Sequence, residues 1–292
     1  MSDQVAQSIV YKRVGELELH LDVIYPRGAR DLPVVLWFHI GGLVQGHRET
    51  AAPHQLRNAS RLGYALVTAD YRLAPQVGLD DILADVTDCI TFVRTSLISH
   101  IEPGILDTTR LAVTGSSAGG YLALLAGLHV EPKPHAVIAI YPVTDPLSSF
   151  YTNPQPHPWG ESPVARDVVA EFLDPQAPAI ANNHSESSRQ QLYFYVIQEA
   201  LLPELLRLQP GDDTYRICKN LHTRSMPPTY VVHGDADQSV PVSHSDEVVG
   251  AMFGLGLEVV YDRLVGVDHT FDLEDDVELP RLYAFLKEHL YT

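Results

Sequence analysis

The feature that most limits what this chain can fold into is a pair of apolar runs without alternation, "LPVVLWFH" at 32–39 and "HAVIAIYPV" at 135–143. A strand with apolar side chains on both faces must be covered on both, as in the middle of a parallel sheet. Helically spaced segments separate such runs. In "LDDILADVTDCITFVRTSLISHI" the residues Leu79, Ile82, Leu83, Val86, Ile90 and Val93 fall close to one helix face, and acids open the segment as the helix dipole favours. "TAAPHQLRNASRLG" reads as a second helix and "YALVTADYRL" as the strand that follows it. Ahead of them, "SIVYKRV" and "LELHLDVIYP" alternate around Gly15-Glu16 and predict an antiparallel hairpin. Strand and helix alternate again through "TRLAVTGSS", "AGGYLALLAGLHV", "PPTYVVHGDAD", "SHSDEVVGAMFGLG", "LEVVYDRLVGV" and "ELPRLYAFLKEHL". The expected class is α/β, a mostly parallel central sheet with helices on both faces.

The rhythm breaks between residues 146 and 225, where prolines stand at 146, 154, 156, 158, 163, 175 and 178 ahead of the amphipathic run "SSRQQLYFYVIQEALLPELLRL". That stretch predicts a helical insertion at 146–225 between two parts of one core, 1–145 and 226–292. Its aromatics, from Phe150 to Tyr195, read mainly as packing residues, with an apolar, medium-sized pocket as the functional expectation.

With 292 residues, 45% of them hydrophobic, the chain can bury a large core, and a net charge of −17 argues against nucleic acid or an anionic membrane as partner. No stretch approaches the ~18 apolar residues of a membrane span. No signal-peptide pattern opens the chain, and Cys89 and Cys218 form no CxxC pair, so the expectations are a cytoplasmic location, no metal and no cofactor.

Chemistry in an open parallel sheet collects outside the carboxyl ends of the strands. "GSSAG" at 115–119 lies there, with a strand before it and a helix after it. A nucleophile elbow needs small neighbours, which Gly115, Gly119 and Gly120 supply around Ser117. A serine needs a base, and in this arrangement the chain order is Ser, acid, His. Of the histidines that follow, His244 and His289 fall in helices with solvent-facing roles expected, whereas His269 follows the last strand at the sheet edge of Ser117. His269 is the expected base. Asp237 is favoured as the acid over Asp235, which should tighten its turn, and over Asp268, which adjoins the histidine in sequence. The glycines of "HIGG" permit backbone amides to converge, so Gly41, Gly42 and Ala118 are the oxyanion-hole candidates, with His39 a loop-shaping hydrogen-bonder.

These motifs, "HIGG", "DYRLAPQ", "GSSAGG", "HGDADQSVP" and "DHTF", resemble those of the α/β-hydrolases, specifically the hormone-sensitive-lipase-like (H-G-G-G type) carboxylesterases. The resemblance runs from about residue 30 to the C-terminus. It implies an α/β-hydrolase fold with a helical cap, a Ser117–His269–Asp237 triad, an oxyanion hole at Gly41, Gly42 and Ala118, and a small-molecule ester as substrate, in a monomer or homodimer. Two residues depart from the pattern: Ile40 replaces the first loop glycine and adds bulk beside the acyl pocket, and Ser116 replaces the usual acid before the nucleophile. The same groups serve an amidase, lactonase or formamidase, or biosynthetic transfer, cyclisation or carbon–carbon chemistry. A decayed site would leave a non-catalytic small-molecule receptor.

Overall fold

A computed structural model describes residues 4–291; Met1–Asp3 and Thr292, at the outer ends of the two expected core parts, lie outside the described residues. Strands β1 (Gln4–Val14) and β2 (Leu17–Pro26) form the hairpin, turning at Gly15 with φ +58°. Leu19, Leu21, Val23 and Tyr25 bury alternate positions of β2, the period of a strand covered on one face. The sheet continues with β3 (Leu32–Phe38), β4 (Ala65–Ala69), β5 (Leu106–Ser116), β6 (Ala136–Ile140), β7 (Thr229–Gly234) and β8 (Val259–Leu264). Its eight strands stand in the order β1-β2-β4-β3-β5-β6-β7-β8, antiparallel through β1, β2 and β4 and parallel from β4 to β8.

The unalternating runs are explained by coverage on both faces. Val34, Leu36 and Phe38 of β3 pack with helices α2 (Leu79–Thr95) and α3 (Ala118–His129). Val35 and Trp37 point the other way, toward α1 (Pro53–Leu62) and the C-terminal helix Pro280–Leu290. Each fully buried aliphatic side chain of this kind contributes roughly 1.5–3 kcal/mol. Helix α3 is buried from Ala118 to Leu128, which is why its sequence shows no polar face.

One expectation needs correction. Strand β4 ends at Ala69 rather than Leu73, because Asp70 turns inward and its carboxylate accepts bonds from Arg48 and Asn182. The amphipathic run near residue 190, expected within a helical insertion, is divided among separate short helices. Within 146–225 lie the short helices α4 (Ser149–Thr152), α5 (Arg166–Val169), α6 (Leu192–Gln198), α7 (Leu202–Leu205) and α8 (Ile217–Asn220). Ala200, at φ +55°, separates α6 from α7, and Pro203 stands in the first turn of α7. After β7 comes α9 (Ser243–Gly254), and the helix closing the chain is α10 (Pro280–Leu290). Among the described residues, no helix is long and apolar enough to cross a membrane.

Candidate active site

Strand β5 runs directly into α3, and Ser117 occupies the junction at φ +54° and ψ −119°. A non-glycine residue held there costs on the order of 1–3 kcal/mol, tolerated only where the surroundings enforce it. The enforcement is visible: the Ser117 amide donates to the Ile140 carbonyl at 2.8 Å, and the Tyr121 amide donates to the Ser117 carbonyl at 3.0 Å. The turn is also too tight for side chains. A Cβ on Gly119 would stand 1.9 Å from the Phe38 carbonyl oxygen, and one on Gly115 would stand 2.2 Å from the Gly119 carbonyl carbon.

The loop after β8 brings His269 to this turn, with Nε2 3.2 Å from Ser117 Oγ. Its Nδ1 lies 2.6 Å from Asp237 Oδ2, on the loop after β7. A carboxylate at that distance makes Nδ1 the protonated nitrogen and leaves Nε2 free to accept the serine proton. Asp237 is itself fixed, because its Oδ1 accepts the amides of Ser239 and Val240, both at 2.8 Å. Burial would push its carboxyl up, but hydrogen bonds from His233 and His269 prevail and hold it well below the ordinary range. Asp235 points elsewhere, accepting the Gly266 amide at 2.7 Å and pairing with Arg263. Asp268 accepts the backbone amide of His269 at 2.7 Å, so it shapes the loop without reaching the imidazole's edge.

On the far side, Gly41 and Gly42 take φ values of +117° and +62°. Among the described residues, the amides of Gly41, Gly42 and Ala118 donate no hydrogen bond, so three N–H groups remain available at this end of the sheet. His39 shapes the loop. Burial lowers its pKa to about 4, so the ring is neutral and Nδ1–H donates to the Ile40 carbonyl at 2.7 Å while the ring stacks on Tyr71. Ile40 is partly exposed at the loop's edge.

Several further residues contribute to this arrangement. His233, fully buried on β7, brings Nε2 to 3.1 Å from the Asp237 oxygen that His269 uses, with its Nδ1 2.7 Å from Ser245 Oγ. Tyr141 lays its ring 4.4 Å from that of His269. From the 146–225 segment, Tyr193 packs against Gly42 and donates to the Ser239 carbonyl at 2.8 Å, and the Trp159 indole donates to Asp268 at 2.7 Å. The histidine of "YVVHGD" is a usable signal for His233, since it stands next to last in a buried strand, two residues before Asp235 and four before Asp237. The solvent-facing role expected for His244 is wrong. It is buried, and its Nδ1 accepts the Thr144 amide at 3.1 Å. That acceptor role puts its proton on Nε2, so it cannot act as base toward Ser148, 3.2 Å away. His289 is half-buried, with its ring against Phe285 and Nε2 3.1 Å from Glu258.

A mostly parallel sheet with a strained serine after β5, an acid after β7 and a histidine after β8 is the α/β-hydrolase fold. The BD-FAE family model matches residues 21–166, half of the chain, and the chain belongs to that family. The hormone-sensitive-lipase-like resemblance of the motifs is consistent with it. Non-reducing polyketide synthase Preu6 of Preussia isomera is 27% identical over 300 residues, an alignment covering 91% of this chain and 14% of that protein. The chain therefore spans about a seventh of the length of the curated relatives it matches. An α/β hydrolase superfamily protein from Enterococcus faecalis superposes with a TM-score of 0.73 at 22% identity, covering 97% of this chain and 96% of that one. Thermogutta terrifontis esterase 2, phosphoramylated by tabun, does so with a TM-score of 0.66 at 21% identity, covering 97% and 91%.

Proposed function

We propose that this chain is a serine hydrolase that cleaves a carboxylic ester of small to medium apolar character through an acyl-enzyme. The observation that carries the reading is the line of hydrogen bonds from Ser117 Oγ through His269 to Asp237, at 3.2 and 2.6 Å, on a serine held at positive φ. Ser117 attacks the acyl carbonyl as its proton passes to His269 Nε2. The amides of Gly41, Gly42 and Ala118 hold the oxyanion. His269 then returns the proton to the departing alcohol, and water repeats the sequence to release the acid. Asp237 keeps the proton on Nδ1 throughout and stabilises the imidazolium. Residues 146–225 act as a cap, with Tyr193 beside the oxyanion loop and Trp159 beside the base loop.

A second reading is favoured by the likeness to polyketide synthases over 91% of the chain. The same acyl-enzyme would be resolved by an alcohol or an internal nucleophile in place of water, so that the chain acts in product release. A series of p-nitrophenyl esters of increasing acyl length tests the first reading. Turnover should be measurable on the shorter members and absent in Ser117→Ala. Added alcohol that diverts most of the acyl group into a new ester would favour the second.

A further inference from the structure

A buried carboxylate stands behind the elbow and has no part in the steps above. Asp272 lies in the helical turn Phe271–Leu273, three residues past His269, and is fully buried. Its Oδ2 accepts the Ser116 hydroxyl at 2.6 Å, and its Oδ1 accepts the Tyr141 hydroxyl. Burial and the Asp272 charge push the Tyr141 phenol well above its ordinary range, so it stays protonated and donates. One hydroxyl donor on each oxygen is the pattern of an ionised carboxylate. His54 Nε2 lies 4.0 Å from Oδ2 and has no hydrogen-bond partner among the described residues, while His54 Nδ1 meets the Tyr283 hydroxyl. An ionised group in a dry interior is costly unless its bonds are satisfied.

What Asp272 touches shows what it can control. Ser116 precedes the nucleophile, and the Tyr141 ring lies 4.4 Å from the His269 ring at 53°. One carboxylate therefore joins the end of β5, the wall beside the imidazole and the loop that carries the imidazole. We propose that Asp272 is a positioning residue for His269, holding Tyr141 against the imidazole and supplying a buried negative charge that favours the imidazolium formed when Ser117 gives up its proton. The inference rests on the serine-hydrolase reading. It also accounts for Ser116, whose hydroxyl meets an acid brought from 156 residues away, where the resembled elbow carries one in sequence.

The groups around His269 are Asp237 and His233 from β7 and its loop, Asp268 beside it in the chain, Ser117, and Tyr141 after β6. Those around Asp272 are Ser116, Tyr141, His54 on α1 and, through His54, Tyr283 on α10. The test is the rate of fluorophosphonate labelling of the whole chain across pH, with the labelled peptide mapped to Ser117. Removing a negative charge disfavours the imidazolium, so in Asp272→Asn the acid limb of the rate should move down by about half a pH unit. The plateau rate should fall roughly tenfold as the base loses its fixed wall. The double variant Ser116→Asp/Asp272→Ser returns a carboxylate across the same hydrogen bond and should restore the acid limb. Tyr141→Phe keeps ring and charge but frees the ring, so it should slow labelling about threefold without moving the limb. That variant carries the test if Asp272→Asn does not fold. A folded Asp272→Asn with wild-type rate and limb overturns the proposal, as does a wild-type rate in Tyr141→Phe where Asp272→Asn is unfolded. A wild type that fails to label at Ser117 defeats the underlying reading instead, and the inference with it.

Discussion

Asp237 gathers four donors, two imidazole nitrogens on Oδ2 and two backbone amides on Oδ1. That environment keeps it ionised and in one orientation, which the proposed chemistry needs. Asp237→Asn should lower turnover about 10⁴-fold by favouring the wrong tautomer of His269. Asp235→Asn should keep most activity and lose roughly 1 kcal/mol from the turn that holds Gly266, measured as kcat and unfolding free energy on the same preparations. The depressed carboxyl has a second consequence. A group whose folded pKa lies below its unfolded value contributes stability that is complete above the unfolded value and lost as pH falls toward the folded one. Between about pH 4 and about pH 2, wild type should therefore lose stability more steeply than Asp237→Asn in denaturant titrations. His244→Ala separates the two kinds of histidine: it should keep the chemistry while losing about 2 kcal/mol, because the buried Thr144 amide loses its acceptor. His269→Ala should be inactive and folded.

The elbow is set by backbone clearance between β3, β5 and α3. Gly119→Ala would drive a Cβ to within 1.9 Å of the Phe38 carbonyl oxygen, a backbone atom that cannot swing aside. The expected loss is on the order of 3 kcal/mol or more, together with activity, read by thermal unfolding. This part of the site was legible because its signals are local. Strand, glycine, serine, glycine and helix lie within a dozen residues, and each residue type answers one geometric demand. Tyr141 and Asp272 were not, because their roles arise from contacts between the end of β6 and the loop after β8 that no local pattern encodes. The over-long reading of β4 has the same origin. "ALVTADYRL" is apolar enough for a longer strand, but Asp70 is drawn inward by Arg48 and Asn182. His244 misled because a histidine near a helix start is usually solvated, and only the fold brings the Thr144 amide to it.

For the molecule as a whole, what matters is how the proposed cap, residues 146–225, is tied to the loops after β3 and β4. Arg189 is the central tie. It is buried without a carboxylate partner among the described residues, donating to the carbonyls of Val44 and Ala74 at 2.7 and 2.8 Å and to the Gln76 side chain at 3.0 Å. Desolvation lowers its pKa to about 10, so it remains charged at neutral pH. Arg189→Met should cost about 2–4 kcal/mol in urea unfolding, because two buried carbonyls lose their donor. The central claim is that Ser117 is activated by His269 beside an oxyanion site. A fluorophosphonate phosphonylates a serine efficiently only when a base removes the proton and amides stabilise the phosphoryl oxygen, so one reagent interrogates all three groups. Intact-mass and peptide analysis of the labelled chain should show one adduct per chain, on Ser117 and not on Ser116, absent in Ser117→Ala and formed far more slowly in His269→Ala. A folded wild-type chain that takes up no label, or takes it up equally in Ser117→Ala, would contradict the account.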